Sequence, residues 1–327
     1  MSLVLVFASR RALPSGKTPV MARATMGLAM LVVGVLCVPA GESRAEARGR
    51  ALTAQSEADR TRQKAEQGDA EAQNSFGVML ATAQGVPQDY AQAASWFRKS
   101  AEQGHAGAQF NLAVMYDNGQ GVSQDPAEAA AWFRKSAEQG DANAQFSLGF
   151  MYGNGQGVPQ DYPQAVSWLG KSAEQGHAMA QYTLGAMYYN GRGVGQDYAQ
   201  AMALIRKAAE QGDADAQSNL GAMYEKGQGA RQDYVQAVSW FRRAAEQGSA
   251  TAQYNLGIMY DSGRGVPQDY VEAHKWENLA ASRATGDDRK MYAEARDALA
   301  KVITPEQLAD AQKRASDWQA AFEQRKK

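Results

Sequence analysis

The chain has 327 residues, and its 34 basic and 35 acidic side chains give a formal net charge of −1. Residues 1–45 contain five of the basic and one of the acidic side chains, which leaves residues 46–327 with a net charge of −5. This balance argues against nucleic-acid binding, which requires a clustered basic surface, and the single cysteine, Cys37, excludes a disulfide within the chain.

The first 45 residues have the pattern of a targeting segment. An arginine precedes a run of thirteen apolar and small residues, 26–38. A membrane span needs about 20 residues, so this run is typical of the central region of a secretory signal peptide. We predict a signal peptide over residues 1–45, cleaved after Ala40 or Ala45, with Met21 as an alternative start. The cleaved chain would be periplasmic or secreted, without stable membrane insertion.

The next segment, residues 46–68, is polar and rich in alanine. It ends in the motif Ala-Glu-Gln-Gly at residues 65–68, and the same motif ends later segments, such as residues 101–104. Terminal modules of a repeat array need a polar outer face. We therefore predict a single N-terminal capping helix over residues 46–68.

From residue 69 the chain repeats a 36-residue pattern six times without insertion or deletion, as far as residue 284. The repeats begin at Asp69, His105, Asp141, His177, Asp213 and Ser249. A fixed period of this length indicates one supersecondary module per repeat, and neighbouring modules must stack to bury their apolar faces.

The first part of each repeat predicts a helix, which we name helix A. In the third repeat, residues at the spacing i, i+4, i+7 and i+8 lie on one face of about three helical turns. These residues are Ala144, Leu148, Met151 and Tyr152. Gly155 and Gly157 follow, and glycine supplies the left-handed conformation that ends a helix.

The second part of each repeat predicts helix B. An aspartate stands three residues before Gln or Glu in every repeat, which is the pattern of a helix-capping box. These aspartates are Asp89, Asp125, Asp161, Asp197, Asp233 and Asp269. Aromatic residues recur in register, and we predict that they belong to the core: Trp96, Trp132, Trp168, Trp240, Trp276, Tyr116, Tyr152, Tyr188, Tyr224 and Tyr260.

After residue 284 the period is lost. Residues 290–302 predict a further helix. The segment 304–307, Thr-Pro-Glu-Gln, has a threonine cap, proline at the first position and glutamine at the third, so it predicts a helix that extends to about Gln324. We interpret residues 285–327 as C-terminal capping helices.

The repeat pattern resembles a known family. Residues 142–176 spell most of the consensus A-x-A-Q-x-x-L-G-x-M-Y-x-x-G-x-G-V-x-x-D-x-x-x-A-x-x-W-x-x-x-A-A-x-x-G, which is similar to the Sel1-like repeat, a relative of the tetratricopeptide repeat. The resemblance covers residues 69–284, with departures at Leu80, Ala83 and Leu204. It implies an all-α fold, an α-solenoid in which stacked helix-turn-helix repeats form a right-handed superhelix.

In tetratricopeptide-like solenoids the first helix of each pair lines the concave side, so the resemblance implies a groove floored by helix A. We name the positions of helix A that point away from its packed side the helix-A face. They are Phe110, Val114, Asp117, Phe146, Phe150, Tyr182, Tyr189, Glu225, Tyr254, Ile258 and Asp261. Aromatic rows flanked by polar groups suit a peptide or protein partner. The alternative is that Phe110 and Phe146 only fill gaps between successive helices, with rings almost fully buried.

Residue types that could carry catalysis do not form a constellation. His105 and His177 open repeats two and four, so at about 10 Å per packed helix they lie at least about 20 Å apart and cannot share a zinc ion. We interpret both as surface residues at helix starts, and His274 in the same way. The Gly-x-Gly turns lie between two helices, whereas a phosphate-binding loop follows a strand. We expect no catalytic residue, metal or cofactor, and no enzyme.

Basic residues cluster near the ends of helix B, and we name them the basic ridge. They are Arg98, Lys99, Arg134, Lys135, Lys171, Arg206, Lys207, Arg242 and Arg243. We interpret the ridge as a solvated outer face, with an acidic partner as the alternative.

The sequence favours an exported scaffold, adaptor or regulator in the bacterial periplasm or envelope, since Sel1-like proteins generally act as adaptors. Two alternatives stay open at this point. One is a secreted effector that binds a host protein. The other is a hydrolase of cell-wall or β-lactam substrates, an activity of certain cysteine-rich relatives, although this chain lacks their cysteines and an S-x-x-K motif.

Overall fold

The structure is a computed structural model that describes residues 44–325. The predicted signal peptide lies outside the described residues except for Arg44 and Ala45, which belong to the first helix. Within residues 44–325 the fold is all-α and contains no strand, as the repeat pattern predicts. None of the helices in this range combines the length and the apolar character that crossing a bilayer requires.

The helices form two compact units that divide between His177 and Ala178. The first unit contains α1 (Arg44–Glu66), α2 (Ala70–Thr82), α3 (Tyr90–Glu102), α4 (Ala106–Asn118), α5 (Pro126–Glu138), α6 (Ala142–Asn154) and α7 (Tyr162–Glu174). The second contains α8 (Ala178–Asn190), α9 (Tyr198–Glu210), α10 (Ala214–Lys226), α11 (Tyr234–Glu246), α12 (Ala250–Ser262), α13 (Tyr270–Arg283), α14 (Gly286–Leu299) and α15 (Pro305–Gln324). Helices α2 to α12 with even numbers are the predicted helix A, and α3 to α13 with odd numbers are helix B. Each unit is a stack of helix pairs, the arrangement of an α-solenoid.

Side-chain caps fix where the helices begin. The Asp141 carboxylate accepts a hydrogen bond from the backbone N–H of the third residue of α6. In α4, Nδ1 of His105 accepts the equivalent bond from the third residue of that helix. Each predicted aspartate caps its helix B, as Asp125 does at the start of α5. Such caps satisfy N–H groups that have no partner within the helix. A complete reciprocal capping box joins Thr304 and Gln307 at the start of α15.

The turn between helix A and helix B has no room for a side chain at its recurring second glycine. Gly121 has φ 66°, and a Cβ there would lie 2.1 Å from the carbonyl oxygen of Tyr90 in the preceding repeat. A Cβ on Gly157 would lie 2.0 Å from the backbone carbonyl oxygen of Pro126. The backbones of successive repeats therefore approach closely because these positions are glycine.

The core of each repeat lies between helix A and one stripe of helix B. Gly149 of α6 lets α7 approach, since a Cβ there would lie 2.8 Å from Cγ of Leu169. In repeats one to five the position of Leu169 is buried and apolar: Phe97, Phe133, Leu169, Ile205 and Phe241. This position directly follows the recurring tryptophan, and it points at helix A.

The expectation that all recurring aromatic residues belong to the core is wrong for most of them. Trp240 and Trp276 are buried. The others are half-buried at the border of the core: Trp96, Trp132, Trp168, Tyr116, Tyr152, Tyr188, Tyr224 and Tyr260. Successive residues of a helix are rotated by about 100° around its axis. The tryptophan next to a core position therefore lies only at the edge of the contact between helix A and helix B.

The last two helices close the second unit. Both α14 and α15 pack on α13, and the ring of Trp318 in α15 lies 5.8 Å from that of Trp276 in α13. Phe322 covers Gly248, where a Cβ would lie 2.7 Å from the ring. Helix α15 has the predicted bounds, whereas α14 begins four residues earlier than the sequence pattern predicts.

Candidate functional site

The helix-A face of the first unit contains three aromatic rings that pack in different ways. Phe146 is only 4% exposed, and its ring stacks on that of His177 with centroids 4.7 Å apart. Phe150, one turn further along α6, is half-buried and lies 6.1 Å from Phe146. Phe110 is also half-buried, and it packs against the core ring of Phe133 at 5.6 Å. An incoming group could therefore meet Phe110 and Phe150, but not Phe146.

Val114 and Asp117 complete the helix-A face of the first unit, and both are half-buried. The Asp117 carboxylate accepts a hydrogen bond of 2.8 Å from Nε2 of Gln156, which lies in the turn of the next repeat. Burial raises the pKa of Asp117, and the hydrogen bond from Gln156 opposes that shift. The side chain thus already links two repeats.

Two tyrosines of the helix-A face are buried in the second unit. Tyr182 is 3% exposed and accepts a hydrogen bond of 2.6 Å from Asn219, and burial raises the pKa of its hydroxyl. Tyr189 is 7% exposed and donates a hydrogen bond of 2.8 Å to Oε1 of Gln228. Burial raises the pKa of Tyr189 to about 12. Both hydroxyls join helix A to the next repeat.

The remaining four positions in the second unit are half-buried: Glu225, Tyr254, Ile258 and Asp261. Tyr254 stacks on Tyr292 of α14 with centroids 4.3 Å apart. Burial raises the pKa of Glu225, while the positive charges of Lys226 and Arg264 lower it. Burial also raises the pKa of Asp261. The charged side chains of this face are therefore partly desolvated carboxylates.

The structure corrects the prediction of an open aromatic floor. Phe146, Tyr182 and Tyr189 fill gaps between successive helices, as the alternative interpretation predicts for Phe146. The alternative interpretation does not hold for Phe110, because its ring is only half-buried. Four positions in the first unit and four in the second keep an accessible part, and they include aromatic, aliphatic and acidic side chains.

The basic ridge is exposed, except for the half-buried Arg206, and most of its side chains contact an aromatic neighbour. Arg134 donates a hydrogen bond to the hydroxyl of Tyr152, and Arg242 donates one of 2.8 Å to that of Tyr260. Lys135 lies over the ring of Trp132, 3.7 Å from its centroid. Contacts of this kind account for most of the half-buried aromatic residues, because a ring at these positions supports a cation of the ridge.

The three histidines differ in environment. His105 caps α4 and lies 2.8 Å from the Glu71 carboxylate through Nε2. Burial lowers the pKa of His177. The expectation of a surface residue is wrong for His274, which is 2% exposed on α13, because this position faces the core in earlier repeats. No group of three side chains suited to a metal ion occurs among the residues that the structure describes.

Glu277 is a residue that the sequence analysis missed. It occupies the core position of helix B in repeat six, where the five earlier repeats have phenylalanine, leucine or isoleucine, and it is 2% exposed. Burial, with a smaller contribution from the charge of Asp261, raises the pKa of Glu277 to about 8. The signal was present in the sequence, as a carboxylate at an otherwise apolar position of the period.

Comparisons with known proteins agree on the repeat. The family model described as the Sel1 repeat matches residues 70–105, 106–141, 142–177, 178–213, 214–249 and 250–284. A crystal structure of a Sel1 repeat protein from Oxalobacter formigenes is 35% identical, with a TM-score of 0.62, and the match covers 72% of this chain and 68% of that one.

A second structure is that of a protective antigen from uropathogenic Escherichia coli strains that displays an SLR fold. It is 31% identical over 81% of this chain and 72% of that chain, with a TM-score of 0.37. No protein of curated function matches the sequence.

Proposed function

The chain belongs to the Sel1 repeat family, and from that premise we propose that it is an exported scaffold that binds other proteins in the bacterial periplasm or envelope. Its partner would be a protein or peptide held on the helix-A face. The chain would act by binding and would not transform a substrate. Export follows from the predicted signal peptide over residues 1–45.

The observation that carries the proposal is the contrast between constant and variable positions. Some positions that pack the repeats keep one residue type, as the second turn glycine does in all six repeats. The helix-A face changes from repeat to repeat: Val114, Phe150 and Ile258 occupy equivalent positions, and alanine fills that position in repeats four and five. Packing of identical modules does not require such variety, whereas recognition of an irregular partner does.

The accessible members of the face suit a polypeptide. The half-buried rings of Phe110 and Phe150 keep an accessible part, and aromatic side chains provide much of the binding energy at protein interfaces. Asp117, Glu225 and Asp261 supply acceptors for polar groups of a partner. Apolar contacts beside a few placed polar groups are typical of specific protein interfaces.

Truncation of the accessible side chains tests the proposal. We would replace Phe150 and Ile258 separately by alanine and measure how much partner protein each variant retains after crosslinking in cells and affinity purification. Since truncation of an interface anchor costs about 2 kcal/mol or more, we expect at least about tenfold less partner. Val235→Ala is the matched control, because Val235 is 64% exposed on α11, outside the helix-A face.

Equal recovery with wild type and both variants, or loss with Val235→Ala alone, would contradict the proposal. Cell fractionation tests the location separately. We expect the mature chain in the periplasmic fraction, and recovery mainly in the culture medium would favour an effector that binds a host protein.

A further inference from the structure

Repeat six has buried polar groups where earlier repeats have a packed apolar core. Glu277 is 2% exposed, and its Oε2 has no hydrogen-bond partner among the residues that the structure describes. His274 stands one turn before it, at a position that is valine, methionine or alanine in the preceding repeats. A buried carboxyl group without a partner is rare in proteins, and each instance calls for a physical explanation.

The contacts of Glu277 show where its carboxyl group lies. Its Cγ is 2.8 Å from the position that a Cβ on Gly257 would occupy. Gly257 belongs to α12, where Tyr254 precedes it by three residues and Asp261 follows it by four, so all three share one side of the helix. The carboxyl group therefore lies against α12 between Tyr254 and Asp261.

Electrostatic effects agree with this placement. The charge of Asp261 contributes, after burial, to the raised pKa of Glu277, and the charge of Glu277 contributes, after burial, to the raised pKa of Tyr254. Each acidic group makes ionisation of the other less favourable. A cation bound between them would stabilise the ionised form of both.

We propose that Asp261 and Glu277 form a receptor site for the ammonium or guanidinium group of a lysine or arginine side chain of the partner polypeptide. Asp261 is half-buried, and therefore more accessible than Glu277, so it would receive the cation first. Glu277 would then lose its proton and pair with the cation. Tyr254 offers its ring to the aliphatic stem, beside the stacked ring of Tyr292.

Cations of α13, α14 and α15 pair with other carboxylates. Lys275 pairs with Glu272 at 3.0 Å, and Arg314 pairs with Glu272 at 2.9 Å and with Asp310 at 2.7 Å. On α14, Arg296 pairs with Asp297 at 2.6 Å.

The other titratable groups near the site are Tyr292 on α14 and His274 on α13. Burial, followed by the charge of Arg296, lowers the pKa of His274, so its ring is neutral at pH 7. The chain thus supplies the acidic half of an ion pair, and we infer that the partner supplies the basic half.

This inference rests on the proposed function, because Asp261 and Tyr254 of the site belong to the helix-A face. Its test uses amidated hexalysine as the probe, with the fully ε-acetylated peptide as control ligand. Calorimetry at pH 7.0 in two buffers of different ionisation enthalpy would measure affinity and the number of protons released. Since Glu277 is mostly protonated at this pH, we expect release of about one proton per bound peptide.

Glu277→Gln keeps the size of the side chain and removes its charge. We expect about tenfold weaker hexalysine binding and no proton release, because a charge-assisted hydrogen bond is lost. Glu246→Gln, an equal charge change at an exposed position of α11, should leave both quantities unchanged, and Asp261→Asn should weaken binding without abolishing proton release.

Equal affinity of Glu277→Gln and wild type, wild-type binding without proton release, or equal binding of the acetylated peptide would overturn the inference. Loss of partner recovery in Phe150→Ala would still support the scaffold proposal in that event. The two failures are therefore distinguishable.

Discussion

The side-chain amide of Gln139 donates a hydrogen bond of 2.7 Å to Oε1 of Gln109, 30 residues earlier. Gln109 is buried, and its own amide donates to the carbonyl oxygen of Ala101 at 3.1 Å. The same pair of bonds recurs within the first unit at Gln145, which bonds Ala137 and Gln175. A buried glutamine thus connects the end of the preceding helix B to the end of its own repeat.

We predict that Gln109→Leu destabilises the protein by about 1–3 kcal/mol, because the amide of Gln139 and the carbonyl of Ala101 lose a buried partner. Urea unfolding followed by circular dichroism measures the change. Gln312→Leu, at an exposed position of α15, should change the free energy of unfolding by less than about 0.5 kcal/mol. Equal effects of the two substitutions would show that the buried glutamine bonds add no stability.

The turn glycines provide a matched pair of substitutions. Gly121 and Gly104 both have positive φ, but a Cβ on Gly121 would meet the backbone of Tyr90, whereas one on Gly104 would meet no atom within 4 Å. We expect Gly104→Ala to cost about 1–2 kcal/mol from backbone strain alone, and Gly121→Ala to cost more, because repeats one and two must separate. Thermal unfolding of both variants tests this order, and the reverse order would contradict the close contact.

Adjacent residues of helix B should differ strongly in their contribution to stability. Phe133 is 2% exposed in the core, while Trp132 is half-buried beneath Lys135. Phe133→Ala should destabilise by about 3–5 kcal/mol, and Trp132→Ala by clearly less despite its larger ring. Chemical denaturation of the two variants measures both changes in the free energy of unfolding. A greater loss for Trp132→Ala would restore the original assignment of the tryptophan to the core.

Glu277 predicts an unusual dependence of stability on pH. Its pKa rises from the ordinary 4.5 to about 8 in the folded chain, so its contribution to stability is complete below pH 4.5 and is lost as the pH rises to about 8. Between pH 6.5 and 8.5 the wild type should lose about 2 kcal/mol from this group. Glu277→Leu should not show this loss, so its stability relative to the wild type should be greatest at pH 8.5.

Urea unfolding at the two pH values measures this effect, and hydrogen exchange in α13 and α14 locates it. Both values lie at or above the ordinary pKa of histidine, 6.5, and burial lowers the pKa of His274 further, so its titration contributes little in this window. Parallel pH profiles for wild type and Glu277→Leu would show that the carboxyl group is not held protonated.

Much of the fold follows from the sequence because the signals are local. Glycine at the turns and aspartate before helix B specify helix ends through backbone geometry and capping, and the observed helices agree with these signals. The period also predicts the stack, since one helix pair cannot bury both of its faces. Helix ends within the six repeats therefore required no information from distant parts of the chain, whereas the start of α14 was not predicted.

The details of the site depend on contacts between repeats, which the period does not reveal. The pattern could not show that Phe146 meets His177 or that Tyr182 meets Asn219, because these partners lie 31 and 37 residues further along. Burial of those rings follows only when successive helices are placed side by side. Likewise, a regular period does not distinguish Trp132 from Phe133 as the residue that faces helix A.

The central claim is that the accessible part of the helix-A face contacts another polypeptide. The most direct measurement is photo-crosslinking in cells, with a benzophenone amino acid placed at Phe150, at Ile258 or at the exposed outer residue Val235. The account predicts a discrete crosslinked species with a second polypeptide from positions 150 and 258, and none from position 235. Crosslinks from position 235 alone, or from none of the three, would contradict it.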